Sequence, residues 1–471
     1  MGGETVPVSA ATAEAPAPLQ LDVRPLWQYA EIGARESSAY ISCRLTAPDF
    51  EPVERPAIDL VAVIDVSGSM AGQKLKMVQS TLEFLMRNLK DTDRFALVTF
   101  DSDVKTVFDL RPMTTAHKEA CLADVQKLRA GSCTNLSGGL FRGVELMQQR
   151  GATKGAVSSI LLMTDGIANE GVRDKDDMCR ALRGLMGPAP DYTIYTFGYG
   201  KDHNENMLRQ LSETGNGMYY FIESNDIIPE SFGDCLGGLL SVFAQNIEVK
   251  LSAVHPEATI KRVCMQRAAT LADDRRTATF TIGDIQSEEV KEVLFEVNLP
   301  LVELHDAVAE AGTATAYFRA DVSYLNLSSS SFEKHAATFS TARPAEVPAV
   351  REANEAVTDA IARFVAVDGM EEARRLAEAG KFDAVRERLQ DVRGFVSANK
   401  SAQACNLVAD LDDMLVATAS REQYQQQGRY EMVSQAQAYS NMRSNRVWAN
   451  DETRERFATK KKGMLRRAAK A

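Results

Sequence analysis

A doubly wound α/β domain, inserted in or next to a β-sandwich and followed by a C-terminal helical region, is the fold that this 471-residue sequence predicts. Three observations predict it. Between residues 57 and 243, apolar β-branched runs alternate with single amphipathic helices, which is the pattern of βα units on a mainly parallel sheet. Short alternating runs bounded by turn residues flank that stretch on both sides. From Val350 onward the apolar spacing is helical.

Residues 1–18 are rich in Ala, Pro, Thr and Gly and read as a disordered tail. Residues 19–56 hold two strand-like runs, LQLDVRPLWQYAEI and SSAYISCRLTA, then three prolines from Pro48 to Pro56 that suit a linker. The α/β unit opens with Ile58–Asp65, an apolar run with no polar alternation, as expected of a strand buried on both faces. Residues 74–89 follow as a helix, with Leu75, Val78, Leu82, Leu85 and Met86 on one face. Strands are expected at 95–100 and 104–110, and helices at 115–128 and 136–149. Val157–Thr164 is a second buried strand. A helix at 174–185, a strand at 192–198, a helix at 205–212 and an edge-like strand at 217–221 follow. A closing helix is expected over 227–244.

Residues 244–343 return to short alternating runs: IEVKLSAV, ATIKRVCM, RTATFTIG, EVKEVLFEVNL and ATAYFRADVSYLNL. With the two strands before Ile58 they suffice for a sandwich. Since consecutive elements usually lie together, the α/β unit is expected as an insertion between its two parts. Residues 348–445 read as helices. Val357, Ile361 and Phe364 form one stripe, Asp368 suits a cap, and Gly380 suits a helix end. Residues 446–471 form a basic tail containing Arg454, Arg456, Lys460, Lys461 and Lys462.

The net charge of −11 argues against nucleic-acid partners. Seven cysteines contain no Cys-x-x-Cys pair, which disfavours zinc sites, and their odd number disfavours a disulfide framework. No apolar run reaches the roughly 18 residues of a membrane span. A cytoplasmic location is expected. The five histidines are isolated and read as surface or satisfied groups, and Met77, Met86, Met147 and Met163 read as core filler. There is no HExxH, Walker A loop, GxSxG elbow or dinucleotide fingerprint, so an enzyme is not expected.

The first strand ends in Asp65-Val66-Ser67-Gly68-Ser69. Asp65, Ser67 and Ser69 alternate, so their oxygens can point to one side. A carboxylate and two hydroxyls are hard ligands, suited to Mg²⁺ or Mn²⁺. Thr134 lies in Gly131-Ser132-Cys133-Thr134-Asn135, a loop before a helix. Asp165 follows a buried strand in Met163-Thr164-Asp165-Gly166. Helix or turn capping is the competing use of such residues, and Asp65 or Ser69 could cap a helix beginning near Ala71. Asp101 and Asp103 read as a solvated loop.

Together these five residues resemble the metal-ion-dependent adhesion site of von Willebrand factor A domains, which carry DxSxS on the first strand, a Thr in a later loop and an Asp after the fourth strand. The segment TFGYGKDHNENMLRQLSETGNGMYYFIES is similar to the last third of that Rossmann-like fold. The resemblance covers residues 57–243. It implies that Asp65, Ser67, Ser69, Thr134 and Asp165 hold Mg²⁺ (or Mn²⁺), the hydroxyls directly and the aspartates often through water. It implies a protein partner whose Glu or Asp carboxylate completes the metal's coordination. It also implies that the domain's last helix can shift when ligand binds. The whole layout is similar to intracellular proteins that pair this domain with β and helical segments. An adhesion or adaptor module is therefore the first expectation. A structural subunit of a large intracellular assembly, or a substrate-recruiting adaptor in ubiquitin ligation without its own RING, comes next. A metal-dependent hydrolase comes last.

Overall fold

The computed structural model describes residues 19–50, 56–151, 157–165, 168–187, 190–265, 269–303 and 313–443. The two expected tails and Gly166 lie outside them. Strands β1 (Asp22–Trp27) and β2 (Ser38–Thr46) lead into the α/β unit. That unit runs β3 (Ile58–Asp65), α1 (Gln73–Asn88), β4 (Arg94–Phe100), β5 (Val104–Pro112), α2 (Thr115–Gln126), α3 (Leu136–Gln149), β6 (Val157–Thr164), α4 (Lys175–Met186), β7 (Thr193–Tyr199), α5 (Glu205–Thr214), β8 (Asn216–Ile222) and α6 (Ile228–Leu239).

Its six strands lie in the order β5-β4-β3-β6-β7-β8. β4 and β5 pair antiparallel, and the other neighbours are parallel. From β3 the chain moves outward to β4 and β5, then returns to β6 on the opposite flank of β3. The strand order reverses there. In an open α/β sheet such a switch opens a crevice beyond the carboxyl ends of the strands. Asp65 and Asp165 stand at that point.

Every residue of β3 and β6 is buried, as their mainly apolar sequences favour, and the buried polar groups Asp59 and Ser159 are bonded to Arg94 and Thr193. Helices α1, α2 and α6 cover one face of the sheet and α3, α4 and α5 the other. α3 lies close to the sheet because Gly143 faces it: a Cβ there would fall 2.5 Å from Val63 Cγ2. The four methionines read as core are all buried.

The closing helix stops at Leu239, short of the expected 244. Residues from Val242 onward form β9 (Val242–Ala253) instead. The run GGLLSVFA suits either period. Gly237 and Gly238 weaken the helix, and pairing with Gln286 and Ile285 holds Val242 and Ala244 in a ladder.

The sandwich continues through β10 (Thr259–Val263), β11 (Ala269–Leu271), β12 (Thr277–Gln286), β13 (Val290–Asn298), β14 (Thr315–Asn326) and β15 (Ser331–Thr341). Its sheets have the orders β1-β2-β13-β10 and β11-β12-β9-β14-β15. β2 pairs with β13 from Ser38↔Asn298 to Thr46↔Val290. The chain thus starts one sheet, leaves to build the α/β unit, and returns to complete it. β15 has no counterpart among the expected runs. Its first half, Ser-Phe-Glu-Lys-His, holds an exposed Phe332 and half-buried Glu333 and His335, and only Ala337, Phe339 and Thr341 are buried.

The helical region comprises α7 (Glu355–Glu378), α8 (Phe382–Ser397), α9 (Ala402–Ala417) and α10 (Arg429–Asn441), the last preceded by a π turn at Tyr424–Gly428. α7 passes through Asp368 unbroken. Its cap is Asn354, whose side chain accepts from the Ala356 and Val357 amides, and its end is Gly380 at φ +75°. α7 meets the sandwich through Arg363, 2.8 Å from Glu292, and meets α5 through Glu371, 2.9 Å from Arg209. No helix among the described residues is long and apolar enough to cross a membrane.

Candidate metal site

Three loops meet at the carboxyl ends of β3, β4 and β6, and backbone bonds tie them together. Val66 N–H donates to Phe100 O at 2.8 Å, Gly68 N–H to Ser132 O at 2.9 Å, Gly131 N–H to Val66 O at 2.6 Å and Asn135 N–H to Asp101 O at 2.8 Å. Gly131 is required where it stands, since a Cβ would fall 1.9 Å from Asp101 Oδ2.

Asp65 is fully buried, with both oxygens engaged. Oδ1 accepts from the Ser67 amide at 2.8 Å, and Oδ2 from the Thr164 hydroxyl at 2.6 Å. Burial pushes its carboxyl up to about 6. The two hydrogen bonds oppose that rise and the neighbouring Asp165 adds to it. Ser67 and Ser69 place their hydroxyl oxygens 3.1 Å apart. Ser67 is buried and Ser69 exposed, so the pair leads from the sheet to the surface. Neither Asp65 nor Ser69 caps α1. Its N-cap is Gly72, with no side-chain bond.

Thr134 is buried. Its amide donates to Asn169 Oδ1 at 2.7 Å, and its carbonyl accepts from the Asn169 and Glu170 amides. Asp165 is fully buried as well. Its Oδ2 accepts from the Lys74 ammonium at 3.1 Å, while its Oδ1 is buried with no hydrogen-bond partner among the described residues. Such an atom is costly unless something fills the space beside it. Among the described residues no three His, Cys, Asp or Glu side chains gather as a metal cluster. The donors here are mainly hydroxyls, and that chemistry fits a hard, oxygen-seeking divalent ion better than zinc.

Lys74 and Asp202 belong to the site and were not legible as such from the sequence. Lys74 Nζ also sits 2.8 Å from Asp202 Oδ1, in the loop after β7. Burial works against its charge, but bonds to Asp202 and Asp165 outweigh burial and hold its pKa above the ordinary value. One local signal existed. A cation in the first turn of a helix opposes the helix dipole, so it calls for a nearby anion.

The Asp202 loop is gripped from its far side by the helical region. The Arg429 guanidinium donates to Lys201 O at 2.9 Å, and the Tyr430 hydroxyl donates to the same carbonyl. The Tyr430 ring stacks on Phe221 and leans on His203. His203 is buried and satisfied: Nδ1–H donates to Gly200 O at 2.5 Å, and Nε2 accepts from the Tyr219 hydroxyl. Burial pulls its pKa down to about 4. The unfolded chain takes up this proton near pH 6.5, but the fold refuses it until much lower pH. The His203 contribution is therefore intact above pH 6.5 and falls by about 3 kcal/mol as pH drops toward 4. His203→Gln should flatten the acid limb of the unfolding free energy; an unchanged limb would assign the loss to another group.

A family model described as von Willebrand factor type A domain matches residues 59–233. The chain is similar to the uncharacterized protein YfbK of Escherichia coli (strain K12), with 27% identity over 270 residues, 56% of this chain and 46% of that protein. It is similar to the E3 ubiquitin-protein ligase WAV3 of Arabidopsis thaliana, with 25% identity over 426 residues, 86% of this chain and 53% of that protein. It thus spans about half the length of these curated relatives. The solved structure of von Willebrand factor type A from Catenulispora acidiphila aligns with a TM-score of 0.64 over 85% of this chain and 91% of that chain, at 17% identity, a likeness of fold.

Proposed function

We propose, from the premise that residues 59–233 form a von Willebrand factor type A domain, that this protein is a metal-dependent protein-interaction module. Asp65, Ser67, Ser69, Thr134 and Asp165 hold Mg²⁺ (or Mn²⁺), and the ion binds a Glu or Asp side chain of a protein partner. The observation that carries the reading is the buried Asp165 Oδ1, without a hydrogen-bond partner among the described residues, beside a donor set rich in hydroxyls. The neutral hydroxyls add no negative charge to that of the two aspartates, so an anionic ligand can fill the ion's open position.

A second reading has its own support. The similarity to WAV3 runs through the sandwich and the helices as well as the α/β unit. That continuity favours a substrate-recruiting role in which the whole chain presents the metal site to its target. The test is affinity capture from source-cell lysate with wild type in Mg²⁺, wild type in chelator, and folded Asp65→Ala plus Ser67→Ala. A partner retained only by the first sample supports the module. Identical partners in all three samples would move the binding surface to the sandwich or helices.

A further inference from the structure

We propose that Lys74 is a resident counter-cation of the metal site, which weakens metal binding and leaves the bound ion more attractive to a partner's carboxylate. The inference rests on the metal-site reading above and deepens it.

Lys74 is held where an ammonium is expensive. It stands in the first turn of α1, where the helix dipole repels a cation. Its side chain is only 18% exposed, and it reaches the fully buried Asp165 at 3.1 Å. The loop beyond it is shaped to keep it there: Gly200 has φ +79°, and a Cβ at that position would fall 2.8 Å from Lys74 Cε. Asp202 anchors the ammonium from outside but is 62% exposed, so water screens its charge far more than that of Asp165.

The two oxygens of Asp165 divide between the two cations. Lys74 engages Asp165 Oδ2 only and leaves the buried Oδ1 free for the ion or its water. The charges then decide the outcome. Two buried carboxylates, Asp65 and Asp165, would neutralise a divalent ion, and an ammonium bonded to one of them leaves the loaded site with a net positive charge. Metal binds less tightly because it meets a like charge. The carboxylate that docks on it is held more tightly for the same reason. A bond to Lys74 made only to brace the loop would give the opposite result on removal: a looser Asp165 and weaker metal binding.

The test uses the full chain, with Mn²⁺ as probe. Free Mn²⁺ is read by electron paramagnetic resonance, and acetate binding to the loaded site by the loss of water-proton relaxivity. Lys74→Met should tighten Mn²⁺ binding about tenfold, as expected for removing one partly screened like charge, and acetate should then displace metal-bound water less readily. Lys74→Arg should keep the wild-type affinity. A cooperative melting transition in chelator, with wild-type circular dichroism below it, establishes that the variants fold. A folded Lys74→Met that binds Mn²⁺ no more tightly than wild type would overturn the proposal and leave Lys74 as a brace. Wild type that binds no Mn²⁺ would overturn the metal-site reading itself, and this inference with it.

Discussion

Arg443→Met should cost the fold about 3–5 kcal/mol, the usual loss when one partner of a buried ion pair is removed. Arg443 follows the last helix, and its guanidinium enters the sandwich. Nη1 lies 2.6 Å from Asp284 Oδ1, Nε lies 2.7 Å from Glu289 Oε1, and Nη2 donates to Glu289 Oε2 at 2.8 Å and to Asp284 O at 2.9 Å. Asp284 is 2% exposed and Glu289 8%. Lys291 completes the cluster, 2.7 Å from Glu289, with its ammonium also on Asn441 O. Burial pulls Lys291 down to about 7 against the attraction of Glu289. One ammonium with so weak a hold on its proton cannot replace the guanidinium for two carboxylates.

The loss should therefore appear at the seam between sandwich and helices. The same seam touches the α/β unit, since a Cβ on Gly283 would strike Asn216 at 2.7 Å. Chemical denaturation followed by fluorescence would measure the shift. Adding Asp284→Asn and Glu289→Gln to Arg443→Met should recover most of it, because the deficit is uncompensated charge rather than lost packing. A loss below about 1 kcal/mol would mean that water already reaches the two carboxylates, contrary to their burial.

The contrast between this cluster and the candidate metal site explains what the sequence made legible. β3, β6 and the candidate set Asp65, Ser67 and Ser69 were readable because their signals are local: an apolar run, its abrupt end, and oxygens spaced two apart. Thr134 and Asp165 lie far along the chain from that set, and only the resemblance to a known motif joined them to it. Lys74, Thr164 and Asp202 were not read as one group, because only the strand order brings positions 74, 164 and 202 to the same crevice. Arg443 and Glu289 are similar, being 154 positions apart and joined by the return of the chain to the sandwich. Two elements failed for a different reason. The run after Gly237 fits both periods, so pairing with β12 decided it. In α7, Asp368 is a plausible cap by type, but Asn354 had already started the helix and nothing after it broke the spacing. Local patterns name the pieces; long-range pairing decides between patterns of equal local merit.

Asp65→Asn should stabilise the metal-free protein at neutral pH and abolish its stabilisation by Mg²⁺. The Asp65 carboxyl sits near 6 in the fold, above its ordinary 3.8. A raised carboxyl favours the fold while protonated, and that advantage disappears as pH rises through 6. At pH 7 the buried charge therefore costs the metal-free fold about 3 kcal/mol. An Asn avoids the cost, and the Ser67 amide still finds an oxygen acceptor. On the proposed reading, metal offsets this cost: binding the charged site of the native state alone would stabilise it by about 2.7 kcal/mol at a hundredfold excess over Kd. Wild type in chelator should thus melt below Asp65→Asn at pH 7. In Mg²⁺ the gap should close for wild type, while the variant does not move. At pH 5 the protonated carboxyl should make the Mg²⁺ effect on wild type small. The mutated residue is the same in every comparison, so the closing of the gap in Mg²⁺ separates a metal ligand from a turn residue. A purely structural Asp65 would lose stability on mutation in both media by the same amount, and that result would remove the metal from the account of this fold.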